Sequence, residues 1–203
     1  TQDLSRTDDY RGLSNQYQDS IFSFADKNSE LYLHLKESDM LYSGKTDEAF
    51  KINDLRMSDV KTDTPEHAMV EFHRSLIYHR LGDVENEKTC LALSSLSDIR
   101  SAIKDHASLW MLAQILYNEG DIERAYRYIR FSWSETVFYN ARLRSTQSAG
   151  ILSLIDKTYH ALVEQQNRKL QIYLWLTSTL WLMLVIALSY IYLQVKKLSI
   201  ARN

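Results

Sequence analysis

Over 203 residues the chain carries 24 Lys and Arg against 26 Asp and Glu, a net charge near −2 that leaves no nucleic-acid footprint in this stretch. Five Gly and one Pro are few for the length, and β-branched runs bounded by turn residues are hard to find, which directs the reading to an all-α fold. A single cysteine, Cys90, excludes an intrachain disulfide and a Cys-based zinc site, and its plain role is a small apolar filler on a helix.

The chain opens at Thr1 on polar sequence, with no charged segment, apolar core and cleavage site in succession. A fragment or a processed form is therefore expected. Leu13, Tyr17, Ile21 and Phe24 mark an amphipathic segment, read as the second helix of a preceding unit, so residues 1–28 are assigned to a repeat remnant.

Residues 29–141 are read as three helix hairpins of a TPR-like α-solenoid. Gly44, Gly82 and Gly120 lie 38 residues apart, each between two segments of helical period. The later two open Gly82-Asp83-Val84-Glu85 and Gly120-Asp121-Ile122-Glu123, as a left-handed glycine turn followed by a capping Asp would. Five residues on come Ala49 and Ala125, small enough for close helix approach, with Glu87 the exception. Ile52, Cys90 and Tyr128 at eight residues, and Leu55, Leu93 and Phe131 at eleven, are expected to keep one apolar face aligned through the units. The spacing predicts helices over 29–43 and 46–60, 65–81 and 84–97, and 102–119 and 122–138. Thr64-Pro65-Glu66 supplies a cap, a first-turn Pro and an acid at the positive helix end. The turn motif resembles the tetratricopeptide repeat over residues 29–138, with a period of 38 instead of 34 and Arg74 where that family usually has leucine.

Residues 142–169 continue as a terminal helix, because the fourth turn expected near Thr158 has neither Gly nor Asp. Leu170 to Val195 then gives 26 residues without a formal charge. At ~1.5 Å per residue such a run crosses a ~30 Å hydrocarbon core, so 170–195 is read as a transmembrane helix. Tyr173, Trp175 and Trp181 towards one end and Tyr190 and Tyr192 towards the other suit the two headgroup levels. Lys196, Lys197 and Arg202 follow the run and Arg168 and Lys169 precede it, a balance that leans towards a cytoplasmic C-terminus.

The stretches Ser97-Asp98-Ile99-Arg100-Ser101-Ala102, Glu119 to Ile129, Asn140-Ala141-Arg142-Leu143-Arg144, and Tyr190-Ile191-Tyr192 with Lys196-Lys197-Leu198 together resemble one family, the bacterial membrane-spanning tetratricopeptide regulators. The resemblance is carried by residues 95–203. It implies a single-pass protein of the bacterial inner membrane with periplasmic repeats. Residues 196–203 would then begin a cytoplasmic coiled coil, and a helix-turn-helix domain further on would contact DNA.

Repeat arrays commonly bind proteins or peptides on the surface made by the first helix of each pair. Carried onto this spacing, the tetratricopeptide groove pattern selects Met69, Phe72, His79, Trp110, Gln114, Tyr117 and Asn118 as partner-binding residues. The competing reading places Phe72 and Trp110 in the inter-helix core. Arg124, Arg127, Arg130, Arg142 and Arg144 form a second candidate patch for a carboxylate-rich partner, against the reading of a solvated, salt-bridged helix face. His67, His73 and His79 stand six residues apart, which turns successive rings by about 240°, so they do not converge on a metal. With no phosphate loop, nucleophile elbow or metalloprotease motif, neither a catalytic residue nor a cofactor is assigned. The expected function is a sensor that binds a partner outside the cytoplasm and relays through the lipid-embedded helix. The alternative is an envelope scaffold that holds a complex together without signalling, and an enzyme ranks third. Homodimerisation stays open, since Ser178, Ala187 and Ser189 make no clear small-xxx-small motif.

Overall fold

The computed structural model describes the backbone of residues 2–104, 107–138 and 142–202, and the side chains of residues 12–14, 16–104, 107–138 and 148–197. All regular structure among them is α-helical: α1 (Gln2–Phe24), α2 (Glu30–Tyr42), α3 (Thr46–Asp59), α4 (Pro65–Leu81), α5 (Val84–Arg100), α6 (Ala107–Asn118), α7 (Ile122–Phe138) and α8 (Arg142–Arg202). From α1 to α7 each helix packs on the next in sequence, so α2/α3, α4/α5 and α6/α7 are stacked hairpins of a solenoid.

The three glycines close these hairpins by the same device. Gly44, Gly82 and Gly120 adopt φ of 77°, 73° and 88°, a left-handed conformation that a Cβ disfavours. Behind each, the next residue's N–H reaches back to the carbonyl five residues earlier: Lys45 to Met40 (2.8 Å), Asp83 to Tyr78 (3.0 Å) and Asp121 to Leu116 (2.9 Å). That satisfies helix-end carbonyls in a Schellman turn. Asp83 and Asp121 then accept the N–H groups of Asn86 (3.1 Å) and Arg124 (3.0 Å), starting the second helices. Thr64 likewise accepts from His67 N–H (3.2 Å), with Pro65 in the first turn of α4.

Two expectations are corrected. The second hairpin was expected to end near residue 97 and the third to begin near 102, but α5 runs to Arg100 and α6 starts at Ala107. Here the same turn is built without glycine: Ala102 takes φ 58°, and Ile103 N–H reaches the Asp98 carbonyl at 2.9 Å. The second correction concerns the eleventh position after each glycine. Leu55, Leu93 and Phe131 lie on the outside, 40 to 50% exposed. At about 100° per residue the eleventh position is turned by about 100° from the twelfth, whose residues Arg56, Ser94 and Ser132 are buried.

The main core joins Leu91, Leu112, Leu116, Ala125, Ile129 and Ile155, with Phe72 and Trp110 packed against it. Ile155 comes from the first part of α8, so that part closes the last hairpin. A smaller cluster holds Leu41, Ala49 and Ile77. Residues 1–155 form one compact unit and 156–203 a second, which consists of the remainder of α8. In that unit every side chain from Leu170 to Val195 is exposed. It belongs to the one stretch, among the described residues, long and apolar enough to cross a membrane.

Nothing lies within 4 Å of a Cβ added at Gly120, so an alanine there meets only the backbone penalty. Gly120→Ala is expected to lower the unfolding free energy of the array by about 1 kcal/mol and Ala102→Gly to raise it by a similar amount. Denaturant titration followed by Trp fluorescence measures both.

Candidate functional site

Two cavities flank α4 where it meets α5 and α6. The larger, of 610 Å³, is lined by His79, Gly82, Val84, Glu85, Glu87, Met111, Gln114, Ile115, Asn118 and Glu119. The smaller, of 270 Å³, is lined by Pro65, Ala68, Met69, Phe72, Ser94, Asp98, Ile103, Ala107 and Ser108. Of the residues selected for a partner groove, His79, Gln114 and Asn118 share the larger cavity, and Met69 and Phe72 face the smaller. Trp110 and Tyr117 are half-buried against the main core, and Phe72 packs there too. Five of the seven residues thus line a cavity, and Phe72, Trp110 and Tyr117 pack on the main core.

Glu87 was singled out only as an exception, and the structure shows what the exception does. It occupies the position of Ala49 and Ala125, both fully buried, and is itself 4% exposed. His79 Nδ1–H donates to Glu87 Oε1 at 3.0 Å across the turn. At the rim, Lys88 Nζ donates to Glu85 (2.8 Å) and Glu119 (2.7 Å). These contacts hold the Lys88 ammonium above its ordinary pKa.

A second polar cluster lies between the first hairpin and α4 and was not anticipated. Arg56, with no side-chain exposure, pairs with Glu37 and Glu30 and donates to His73 Nδ1 (3.0 Å) and His34 Nδ1 (3.4 Å). Asn53 donates to Glu37 (2.8 Å) and to the Val70 carbonyl (3.0 Å), and accepts from Arg74 Nε (2.6 Å). Burial opposes the charge on Glu37, but contact with His73 and Arg56 outweighs it and holds the carboxyl below its ordinary value. Burial, helped by His73 and Arg56, pushes the His34 imidazole down. The repeat could have revealed this cluster: Asn53 and Arg56 occupy the positions of Leu91 and Ser94, and of Ile129 and Ser132. No buried atom of its side chains lacks a partner among the described residues, which makes the cluster a lock between α2, α3 and α4.

His67 and Cys90 are buried in the array. His67 Nδ1 lies 2.8 Å from Ser97 Oγ and His67 Nε2 lies 3.8 Å from Glu71, a serine, histidine and acid in a row. The Ser97 hydroxyl donates to the Leu93 carbonyl (3.0 Å), however, and Ser97 is 1% exposed, so its proton is turned away from His67 and a substrate does not reach it. Glu71 sits where the other repeats have Leu33 and Leu109, and its Oε2 has no partner among the described residues. Burial and this carboxylate push the Cys90 thiol up to about 12, far from a reactive thiolate. The three histidines go to three different partners, Ser97, Arg56 and Glu87. In the arginine patch, Arg124 pairs with Asp121 (2.5 Å), and Arg127 and Arg130 are exposed. The side chains of Arg142 and Arg144 lie outside the described residues. Tyr173, Trp175, Trp181, Tyr190, Tyr192, Lys196 and Lys197 are all exposed on the second unit.

Residues 1–150 match the family model described as the SusR N-terminal TPR domain. The chain belongs to that family. The match includes the divergent first hairpin, on which the resemblance to membrane-spanning regulators did not draw. It fits the solenoid, and TPR domains are protein-interaction modules as a rule. No curated protein and no solved structure matches the chain.

Removing one partner of a buried ion pair leaves the other charge uncompensated. Arg56→Met is expected to destabilise this SusR-type TPR domain by roughly 3–5 kcal/mol, and adding Glu37→Leu to recover much of the loss. Acid should act on the same cluster. The His34 contribution is full above the ordinary value of 6.5 and declines as pH falls below it, while that of Glu37 is full above 4.5 and is lost as pH falls through its lowered value. Hydrogen exchange of α2–α4 amides between pH 7.5 and 5 should show protection falling with pH, and a smaller slope in the double variant.

Proposed function

We propose that the chain is the membrane-anchored binding module of a bacterial regulator, which takes up a protein or peptide partner outside the cytoplasm and relays that state through α8. The observation that carries this reading is the 610 Å³ cavity. In it, first-helix residues of two successive repeats, His79 on α4 with Gln114 and Asn118 on α6, line one concave surface with the apolar Val84, Met111 and Ile115. Apolar walls with a few placed polar groups are the usual make-up of a recognition groove. A match to a TPR domain named for SusR supports placing such a groove in a regulator.

The anchoring half of the proposal rests on the uncharged run in α8. Twenty-six consecutive exposed residues without a formal charge would leave a large apolar surface in water. Lipid removes that cost, with Trp175 and Trp181 near one headgroup level and Tyr190 and Tyr192 near the other. Relay through α8 is supported by its make-up, since one helix supplies both Ile155 to the array core and the apolar run.

The buried, high-pKa Cys90 leaves the chain without a competing reactive thiol, so single cysteines can report sidedness directly. In cells with a permeabilised outer membrane, Lys51→Cys on α3 is expected to react with a membrane-impermeant maleimide, and Lys197→Cys only after the inner membrane is opened. Labelling in the reverse order would place the array in the cytoplasm and contradict the reading.

A further inference from the structure

The charge of the larger cavity is unbalanced in a way that its packing does not require. Three carboxylates, Glu85, Glu87 and Glu119, line it, and Lys88 is shared between two of them. Glu87 is the informative one. Its side chain is 5% exposed, its Oε1 accepts from His79, and its Oε2 has no hydrogen-bond partner among the described residues. It nevertheless lines the cavity. A carboxylate has room for about four hydrogen bonds, and Glu87, which takes one from His79 and lines the cavity, has room for a further donor there. The fold does not require a carboxylate here, because the two equivalent positions hold Ala49 and Ala125.

Resting on the groove reading above, we propose that this cavity recognises a basic side chain of a partner peptide, an arginine or a lysine. Its head pairs with Glu87 Oε2, and its methylene stem lies along Val84, Met111 and Ile115. The apolar walls suit such a stem. The guanidinium or ammonium supplies the donors that Glu87 lacks. Glu85 and Glu119, held by Lys88, leave surplus negative charge at the rim, which favours approach of a cation and disfavours an acidic segment.

The test uses the full chain in detergent and three random nonapeptide libraries that differ only at the central residue: arginine, its uncharged isostere citrulline, or glutamate. Enrichment of arginine-centred over citrulline-centred peptides on the order of tenfold or more is expected, with glutamate-centred peptides lowest. That preference should vanish in Glu87→Ala, which carries the residue of the other two repeats, and in Glu87→Gln, which keeps the shape. Helical circular dichroism and the unfolding midpoint check that both variants fold. Equal binding of arginine and citrulline peptides by the native chain would overturn the inference and leave groove binding standing. An arginine preference that survives both Glu87 variants would overturn it as well. Competition by free arginine amide as strong as by the peptides would overturn the peptide assignment, and binding of none of the libraries would overturn the groove reading itself.

Discussion

A left-handed residue every 38 positions is the constraint on which the repeat array depends. Gly44, Gly82 and Gly120 let the chain reverse within two residues while the carbonyls of the ending helix still find donors. With the turn fixed, the phase of each second helix is fixed as well. Positions five, nine and twelve then fall on the side that packs, and position eleven on the side that does not. The cavity, the buried ion cluster and the outer apolar positions are all consequences of that phase. The turn after α5 shows that the geometry matters more than the residue, since Ala102 adopts the same conformation at some energetic cost.

A single repeat template carries two charged departures at positions that the other repeats fill with small residues. At position twelve the first repeat buries Arg56 and the later two bury Ser94 and Ser132. At position five the second repeat buries Glu87 between two repeats that bury alanine. The first departure is fully paired within the protein, by Glu30, Glu37, His34 and His73, and acts as a lock. The second has one internal partner, His79, and opens on a cavity. The number of internal partners and access to the cavity together separate the Arg56 cluster from Glu87.

Much of the architecture was legible because it is written in local signals. Glycine spacing, the capping residues Thr64, Asp83 and Asp121, and the uncharged run from Leu170 each act over a few residues. The ion cluster was legible only in part: Asn53 and Arg56 depart from what the other repeats hold at the same positions, but Glu37 and His73 meet Arg56 only through packing of α2, α3 and α4. The cavity was partly legible: the groove pattern reached His79, Gln114 and Asn118, whereas Glu87 and Glu119 come from the second helix and a turn that the pattern ignores. The α5–α6 turn was misplaced because its left-handed residue is an alanine.

The central claim is that the concave side between α4 and α6, and not the outer apolar positions, is where this chain meets its partner. A photo-crosslinking residue placed at Gln114 in the cavity, and separately at Leu93 on the outer face, tests it in intact cells. The account predicts one discrete adduct from Gln114 that is lost in the Glu87→Gln background, and no discrete adduct from Leu93. A discrete adduct from Leu93 with none from Gln114 would contradict it.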